Sequence, residues 1–184
     1  MTTHIHALGA LIDDLFELSR LEAGDIEWSV ERVALDELIG ETVAAMRVQA
    51  EAKRVAVVAD VAHDLAPARA NPEKVQRVLF NLIQNAIRHT PADGSVTVRA
   101  EPIAQSVQIE VADTGTGIAP DEYARVFEPF FRGGSEAART RNGAGLGLAI
   151  SRAIVEAHGG RIWLEGAAGG SAGTRVRFSL PRAI

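Results

Sequence analysis

The stretch ANPEKVQRVLFNLIQNAIRHTP, residues Ala70 to Pro91, carries both start and stop signals for a helix. Asn71 can cap the first turn, Pro72 occupies the first helical position, and Pro91 follows the end of the pattern. Apolar residues recur through the stretch at helical spacing: Val78, Leu79, Leu82, Ile83, Ala86 and Ile87. The pattern therefore predicts a well-bounded helix with an apolar side and a polar side.

The polar side of this helix carries Asn81, Asn85 and Arg88 at positions i, i+4 and i+7. Polar residues at this spacing can simply be solvated, and that interpretation stays open. The alternative is chemical, because asparagine offers a neutral oxygen ligand suited to a hard cation that already has charged phosphates as partners. A magnesium ion bound to a nucleotide fits that description.

The order of the other elements predicts an α+β two-layer sandwich, with a mixed sheet of about five strands covered by three helices, plus an isolated N-terminal helix. Apolar spacing predicts further helices at about residues 3–21, 36–52 and 146–158. Apolar or alternating runs predict strands at residues 26–33, 54–61, 94–100, 106–114, 161–166 and 174–181. Residues 118–142 lack periodicity and predict a loop with a short helical turn near Asp121.

Composition narrows the range of possible partners. The 184 residues are 47% hydrophobic and 23% charged, which is typical of a soluble globular protein. A net charge of -5 gives no general attraction to nucleic acid or anionic lipid, and no apolar run approaches the ~20 residues that cross a bilayer. The absence of cysteine excludes disulfides, thiolate ligands and a thiol nucleophile. We expect a cytoplasmic protein with no nucleic-acid partner and no direct membrane contact.

The sequence DTGTG, Asp113 to Gly117, directly follows the apolar run VQIEVA. An aspartate followed by glycines commonly forms only a turn. At the end of a buried strand, however, the carboxylate can accept a hydrogen bond from the exocyclic amine of adenine, and the glycines let the ring approach the backbone. Guanine presents an acceptor at that place, so such a site would select ATP over GTP.

A glycine-rich stretch, GAGLG at residues 143–147, precedes the last predicted helix. Glycines let backbone N–H groups approach an anion, and a helix starting near Leu146 directs its positive end towards it. The preceding loop adds positive charge through Arg132, Arg139 and Arg141. This positive charge suits the binding of a polyphosphate, and the alternative is a loop that is simply solvated. The stretch is not a Walker-type loop, because no Lys-Ser or Lys-Thr pair follows the glycines.

In this order the pieces resemble the catalytic ATP-binding domain of sensor histidine kinases, in the superfamily that also holds gyrase, MutL-type and heat-shock chaperone ATPases. NLIQNAIRHTP resembles the N box of that family, and DTGTGI resembles its G1 box. FEPFFR resembles the F box, and GAGLGLAI the G2 box. The resemblance implies a Bergerat-type sandwich that binds ATP under a mobile lid.

The resemblance also implies roles for individual residues. It places Asn85 on Mg²⁺, Asn81 beside the phosphates, and Arg88 where the family usually has a phosphate-binding lysine. Asn81, Arg88 and Arg132 are the candidates for phosphoryl transfer. The candidates for binding ATP are Asn85, His89, Asp113, Gly115, Gly117, Ile118, Arg139, Arg141, Gly143, Gly145, Leu146, Gly147 and Thr174.

Asn81 separates this chain from the ATP-hydrolysing relatives. In those relatives, and in related serine kinases, the residue four positions before the magnesium asparagine is a glutamate that activates water or a hydroxyl. Asparagine has no basic carboxylate, which favours transfer to an imidazole, since neutral imidazole is itself a nucleophile. The resemblance thus implies a protein-histidine kinase, with an ATP-driven clamp ATPase and a non-catalytic nucleotide-binding regulator as the alternatives.

The stretch LGALIDDLFELSRLEAGDIEW, residues 8–28, resembles the second helix of the family's dimerisation and phosphoacceptor hairpin. Residues 1–23 are therefore expected to be a partial hairpin, and residues 24–184 the catalytic ATP-binding domain. The first helix, which carries the acceptor histidine, has no counterpart, so the chain alone is not expected to autophosphorylate. The resemblance implies an acceptor hairpin in cis or in trans, a response regulator receiver domain, and a homodimer when the hairpin is complete.

None of the five histidines matches the acceptor position. His4 and His6 lie near the terminus and are expected to be exposed, and His63 lies in a predicted loop. His158 is expected to act as a cation at the C-terminus of its helix. An excised fragment and a natural split kinase both remain open, as does attachment to a membrane-bound sensor.

Overall fold

The structure, a computed structural model, describes residues 2–24, 28–62, 64–133, 144–166 and 173–183, with side chains from residue 8 onward. The helices are α1 (Thr2–Ala23), α2 (Leu35–Ala52), α3 (Pro72–His89) and α4 (Gly147–Ala157), with a 3₁₀ turn at Pro120–Glu122. The strands are β1 (Glu31–Val33), β2 (Ala56–Val61), β3 (Ala68–Ala70), β4 (Ser95–Ile103), β5 (Ser106–Asp113), β6 (Ile162–Gly166) and β7 (Thr174–Pro181).

The main sheet has the strand order β2-β4-β5-β7-β6. Strand β2 pairs with β4 in parallel and the other neighbours are antiparallel, so the sheet is mixed, as predicted. The helices α2, α3 and α4 contact this sheet. The architecture is the predicted α+β two-layer sandwich.

A second sheet, formed by the two strands β1 and β3, is only partly predicted by the sequence. The sequence predicts a strand over residues 26–33, but within the described residues only Glu31–Val33 forms one. Trp28 instead stacks on the ring of His158, with 4.7 Å between ring centroids. Strand β3 has three residues, too few to show a periodic pattern, and the sequence does not predict it.

Helix α3 begins and ends where the sequence predicts. The side chain of Asn71 accepts a hydrogen bond from the backbone N–H of Lys74 at 3.0 Å, which satisfies one of the free donors of the first turn. At the other end, the ammonium group of Lys53 donates to the carbonyls of Ile87 and Arg88, at 3.1 and 2.9 Å. The apolar side of the helix is buried: Val75, Val78, Leu79, Leu82, Ile83, Ala86 and Ile87.

Charged side chains on the sheet face away from α3 link neighbouring strands. Arg99 on β4 pairs with Asp60 on β2 at 3.0 Å, and Arg177 on β7 pairs with Glu110 on β5 at 2.7 Å. These residues alternate along their strands with buried ones such as Val98, because successive strand residues point to opposite faces. Opposite charges on adjacent strands stabilise the pairing of the sheet.

Helix α1 lies outside the sandwich, as predicted, and its C-terminal half is docked on α3 and α4. Leu18 and Leu21 are buried there, and Arg77 of α3 forms ion pairs with Asp14 and Glu17 of α1. The apolar residues on the other side of α1 stay exposed: Leu8, Ile12, Leu15 and Phe16. In the part of the chain that the structure describes, no helix combines the length and the apolar character needed to cross a membrane.

His158 joins the ends of two helices, but not as a cation. It keeps 8% of its surface exposed, and its Nδ1 lies 2.7 Å from the carbonyl of Ile154 in the last turn of α4. Its Nε2 accepts the backbone N–H of Asn71 at 3.0 Å, so the ring must be neutral with its proton on Nδ1. Burial lowers the pKa of the His158 imidazole. The expectation of a charged histidine is therefore wrong, because burial outweighs the attraction of the helix C-terminus.

Mild acid should destabilise the protein through His158. Because its pKa is lower in the folded state, its contribution to stability is full above the unfolded value of about 6.5 and is lost as the pH falls towards the folded value. Each unit of difference corresponds to about 1.4 kcal/mol. Denaturant titrations between pH 7.5 and pH 5 measure this loss as a fall in the free energy of unfolding.

The matched variant is His158→Gln, whose side-chain oxygen can still accept the N–H of Asn71 but does not titrate. It should show a weaker pH dependence than the unmodified protein. The pKa of His89 is lowered as well and adds to the same trend, but both proteins keep His89, so its contribution cancels. Identical pH dependence in the two proteins would contradict the role given to His158.

Candidate nucleotide-binding site

The first wall of the site is the polar side of α3. Asn81 donates through Nδ2 to the carbonyl of Gly147 at 3.2 Å, and the same atom lies 3.4 Å from the hydroxyl of Ser151, so α3 is tied to the first turn of α4. One turn further on, Asn85 is half-buried and its amide makes no hydrogen bond within the described residues. Arg88 is exposed beyond it. The three residues do share one side of the helix, as predicted.

The second wall is Asp113 at the end of β5. Its Oδ1 accepts the backbone N–H of Gly115 at 2.8 Å and that of Thr174 at 3.2 Å. Burial raises the pKa of the Asp113 carboxyl above its usual value, and these two donors only partly offset that effect. Its Oδ2 has no partner among the residues that the structure describes, so it is free to accept a hydrogen bond from an amine such as that of adenine.

Close backbone packing brings the two walls together. A Cβ on Gly115 would lie 2.5 Å from the carbonyl oxygen of His89, at the end of α3. Gly173 has a φ of +130°, and a Cβ there would lie 2.2 Å from the carbonyl of Asp113. The sequence does not predict a role for Gly173, because this residue lies in a run of small residues without a pattern. These approaches fix the end of α3, the end of β5 and the start of β7 against one another.

The third part of the site is the base of the loop that precedes α4. The N–H of Phe130 donates to the carbonyl of Gly145 at 2.9 Å, and Gly145 has a φ of +73° with no room for a Cβ beside Phe131. The segments on the two sides of residues 134–143 are therefore joined at this point. The predicted ATP-binding residues Arg139, Arg141 and Gly143 lie outside the described residues and stay predictions.

The remaining predicted residues occupy different environments. Ile118 packs at the edge of the core, and the side chain of Leu146 is buried within it, so only the backbone of Leu146 can reach a ligand. Arg132 is exposed beside the F-box phenylalanines. The pKa of the His89 imidazole is lowered mainly by burial, and further by the positive charges of Arg88 and Lys53. His89 is therefore a neutral imidazole next to the cationic end of α3.

The donor set fits a cation that brings its own anionic partners. Among the described residues, no three His, Asp or Glu side chains come together in a cluster that could hold a metal ion. The half-buried amide of Asn85 offers one neutral oxygen, which suits Mg²⁺ only when phosphate oxygens and water complete its shell. The residues present therefore fit a magnesium ion that arrives with a nucleotide.

A separate groove lies at the β6 edge of the sheet. It has a volume of about 400 Å³ and contains none of the predicted site residues in its lining: Tyr123, Ala124, Phe127, Arg152, Glu156, Arg161, Ile162, Trp163 and Leu164. The nucleotide site is thus defined by side-chain chemistry and close packing rather than by this cavity.

Comparison with known families identifies the fold. The family described as histidine kinase-, DNA gyrase B-, and HSP90-like ATPase matches residues 70–184, which include all three parts of the site. This chain belongs to that family. The family assignment and the predicted Bergerat-type sandwich are therefore confirmed.

Curated relatives match almost the whole chain. The non-motile and phage-resistance protein of Caulobacter vibrioides is 37% identical over 185 residues, covering 96% of this chain and 22% of the relative. The adaptive-response sensory kinase SasA of Synechococcus sp. (strain JA-3-3Ab) is 32% identical, covering 96% of this chain and 46% of that kinase. The chain therefore spans less than half the length of these relatives.

Solved structures agree with this assignment. Full-length ShkA in complex with AMPPNP superposes with a TM-score of 0.84 at 32% identity, covering 96% of this chain and 36% of ShkA. The catalytic domain of the histidine kinase ThkA superposes with a TM-score of 0.73 at 27% identity, covering 84% of this chain and 97% of that domain. The protein is thus similar in both sequence and structure to ShkA, which was solved with AMPPNP, and to the catalytic domain of the histidine kinase ThkA.

The tight packing around Gly115 can be tested directly. Gly115→Ala should destabilise the protein by about 1–3 kcal/mol, because the new methyl group overlaps the carbonyl of His89 and forces the end of α3 to shift. Thermal or denaturant unfolding measures the change.

The matched control is Gly40→Ala in the exposed face of α2, where an added Cβ meets nothing within 4 Å. That variant should stabilise the protein by about 0.5–1 kcal/mol, because alanine has the higher helix propensity. A neutral effect of Gly115→Ala, with Gly40→Ala behaving as expected, would show that the backbone contact at Gly115 is not tight.

Proposed function

We propose that this chain is the catalytic part of a two-component sensor histidine kinase, which binds Mg-ATP and transfers the γ-phosphate to a histidine outside this chain. The observation that carries the proposal is the polar side of α3, which presents the amides of Asn81 and Asn85 and no carboxylate to the candidate site. The similarity to ShkA, which was solved with AMPPNP, supports ATP as the nucleotide.

Each wall has a distinct part in binding. Asp113 would accept the adenine amine through Oδ2, because its Oδ1 is already held by two backbone donors. Asn85 would hold Mg²⁺, which when bound neutralises the charge of the phosphates. Arg88, at the cationic end of α3, would contact the phosphates together with Arg132 from the loop base. The positive end of α4 points at the same region, because its first residue, Gly147, contacts Asn81.

The chemistry favours transfer over hydrolysis. The amide of Asn81 cannot take a proton from an attacking water, and no other described residue of α3 facing the site is a carboxylate. A neutral imidazole needs no general base to attack, since its nitrogen already has a lone pair. This difference argues against an ATP-driven clamp ATPase, while a non-catalytic regulator would bind ATP without transferring phosphate to any acceptor.

The exposed side of α1 supports an acceptor on a neighbouring helix. Leu8, Ile12, Leu15 and Phe16 form an apolar stripe that the domain itself does not cover. We propose that this stripe packs in a helical hairpin whose other helix carries the acceptor histidine, in cis or in trans, and through which the kinase dimerises. A response regulator receiver domain would then take the phosphoryl group from that histidine, with the reaction in the cytoplasm.

Removal of the Asn85 amide should abolish the magnesium dependence of ATP binding. Isothermal titration of Asn85→Ala should show the same weak affinity for ATP with Mg²⁺ and with a chelator, because the variant lacks the protein ligand of the cation. Gln76→Ala, an exposed position on the same helix, is the control and should bind as the unmodified protein does. Undiminished enhancement by Mg²⁺ in Asn85→Ala would overturn the metal assignment.

Labelled ATP tests the proposed function as a whole. Incubation of the chain with γ-labelled ATP and a helical hairpin from a related histidine kinase should place acid-labile label on the hairpin and none on the chain alone. Steady release of phosphate without any acceptor would instead indicate the clamp ATPase. Label on the chain alone would show that the acceptor lies within residues 1–184.

A further inference from the structure

The hydroxyl of Ser151 is buried in α4 with no exposure to solvent. It donates to the carbonyl of Gly147, one turn earlier, at 2.8 Å. A serine that bonds back to its own helix in this way adds little to helix stability. The same hydroxyl oxygen, however, lies 3.4 Å from Nδ2 of Asn81, which also lies 3.2 Å from the carbonyl of Gly147.

These contacts determine which end of the Asn81 amide faces α4. A carbonyl oxygen only accepts hydrogen bonds, so the atom of Asn81 beside Gly147 must be the NH₂ group. The Ser151 hydroxyl donates its only hydrogen to the same carbonyl and therefore presents its lone pairs to Asn81. A flipped amide would place its oxygen against two acceptors, and each buried group left unpaired costs about 1–3 kcal/mol.

We infer that Ser151 is a positioning residue that holds the Asn81 amide with Nδ2 on α4, so that Asn81 presents Oδ1 to the cation bound with the nucleotide. The inference rests on the proposed function and refines the expected place of Asn81 beside the phosphates. An oxygen cannot donate to phosphate oxygens, but it can accept a hydrogen bond from a water molecule in the shell of Mg²⁺. Oδ1 has no partner among the described residues, which leaves it available for this role.

The test is a double-mutant cycle on Ser151→Ala and Asn81→Ala. The measured quantity is the magnesium enhancement, the ratio of ATP dissociation constants without and with Mg²⁺. Ser151→Ala should reduce this ratio by roughly 3- to 10-fold, about the worth of one hydrogen bond, and leave the affinity without Mg²⁺ unchanged. In the Asn81→Ala background, Ser151→Ala should have no further effect, because the group that it positions is gone.

Thr42 provides a matched control for loss of a buried hydroxyl. It is buried in α2 and donates back to the carbonyl of Leu38 at 2.7 Å, which is the arrangement of Ser151 without a nearby asparagine of the site. Thr42→Val should lower stability and leave the magnesium enhancement unchanged. An unaltered enhancement in Ser151→Ala, or an equal loss in the Asn81→Ala background, would overturn the positioning role.

A measurement without nucleotide separates this inference from the proposed function. The side-chain NH₂ signals of Asn81 in a ¹⁵N–¹H spectrum, assigned from their loss in Asn81→Ala, should shift and exchange faster with solvent in Ser151→Ala. Unchanged signals would refute the positioning of the amide. Failure of the unmodified protein to bind Mg-ATP would refute the proposed function, whatever the signals show.

Discussion

Burial of the apolar side of α3 against the five-stranded sheet is the constraint on which the nucleotide site depends. Once Val78, Leu82 and Ile83 are in the core, the spacing of the helix leaves one direction for its polar residues. Caps at both ends then fix its length, through the Asn71 side chain and the Lys53 ammonium group. A helix held in this way presents Asn81 and Asn85 at fixed heights above the sheet, as the proposed binding of a magnesium ion would require.

The polar side of α3 has two parts: one contacts α1, and the other carries residues of the candidate nucleotide site. Near its start, Lys74 and Arg77 pair with carboxylates of α1, and near its end the side chains of Asn85 and Arg88 have no hydrogen bond or ion pair among the described residues. Partly exposed ion pairs contribute about 1 kcal/mol or less each, so these pairs add only modestly to the burial of Leu18 and Leu21 that holds α1 on the domain. The helix that carries the candidate nucleotide-binding residues is therefore also the helix with which α1 forms these ion pairs.

Much of this arrangement can be read from sequence, because its determinants are local. The proline signals of α3 and the aspartate after the apolar run of β5 depend only on neighbouring residues. The failures involve distant contacts. Trp28 leaves the predicted strand to stack on a ring 130 positions away, and burial between helices makes His158 neutral although its local position favours a cation. The contact of Ser151 with Asn81 likewise cannot be predicted from its neighbours in sequence, because it forms only when α4 packs against α3.

The same contacts explain why position 81 suits an amide rather than a carboxylate. A glutamate or aspartate there would bring a negative oxygen towards the Gly147 carbonyl, which cannot donate, and towards Ser151, which could donate to it only by giving up its hydrogen bond to that carbonyl. The carboxylate would have to turn away from α4 and lose its fixed orientation. In this chain the first turn of α4 is thus complementary to the NH₂ group of Asn81. The proposed preference for phosphoryl transfer over hydrolysis would then depend on the packing of two helices as much as on the identity of one residue.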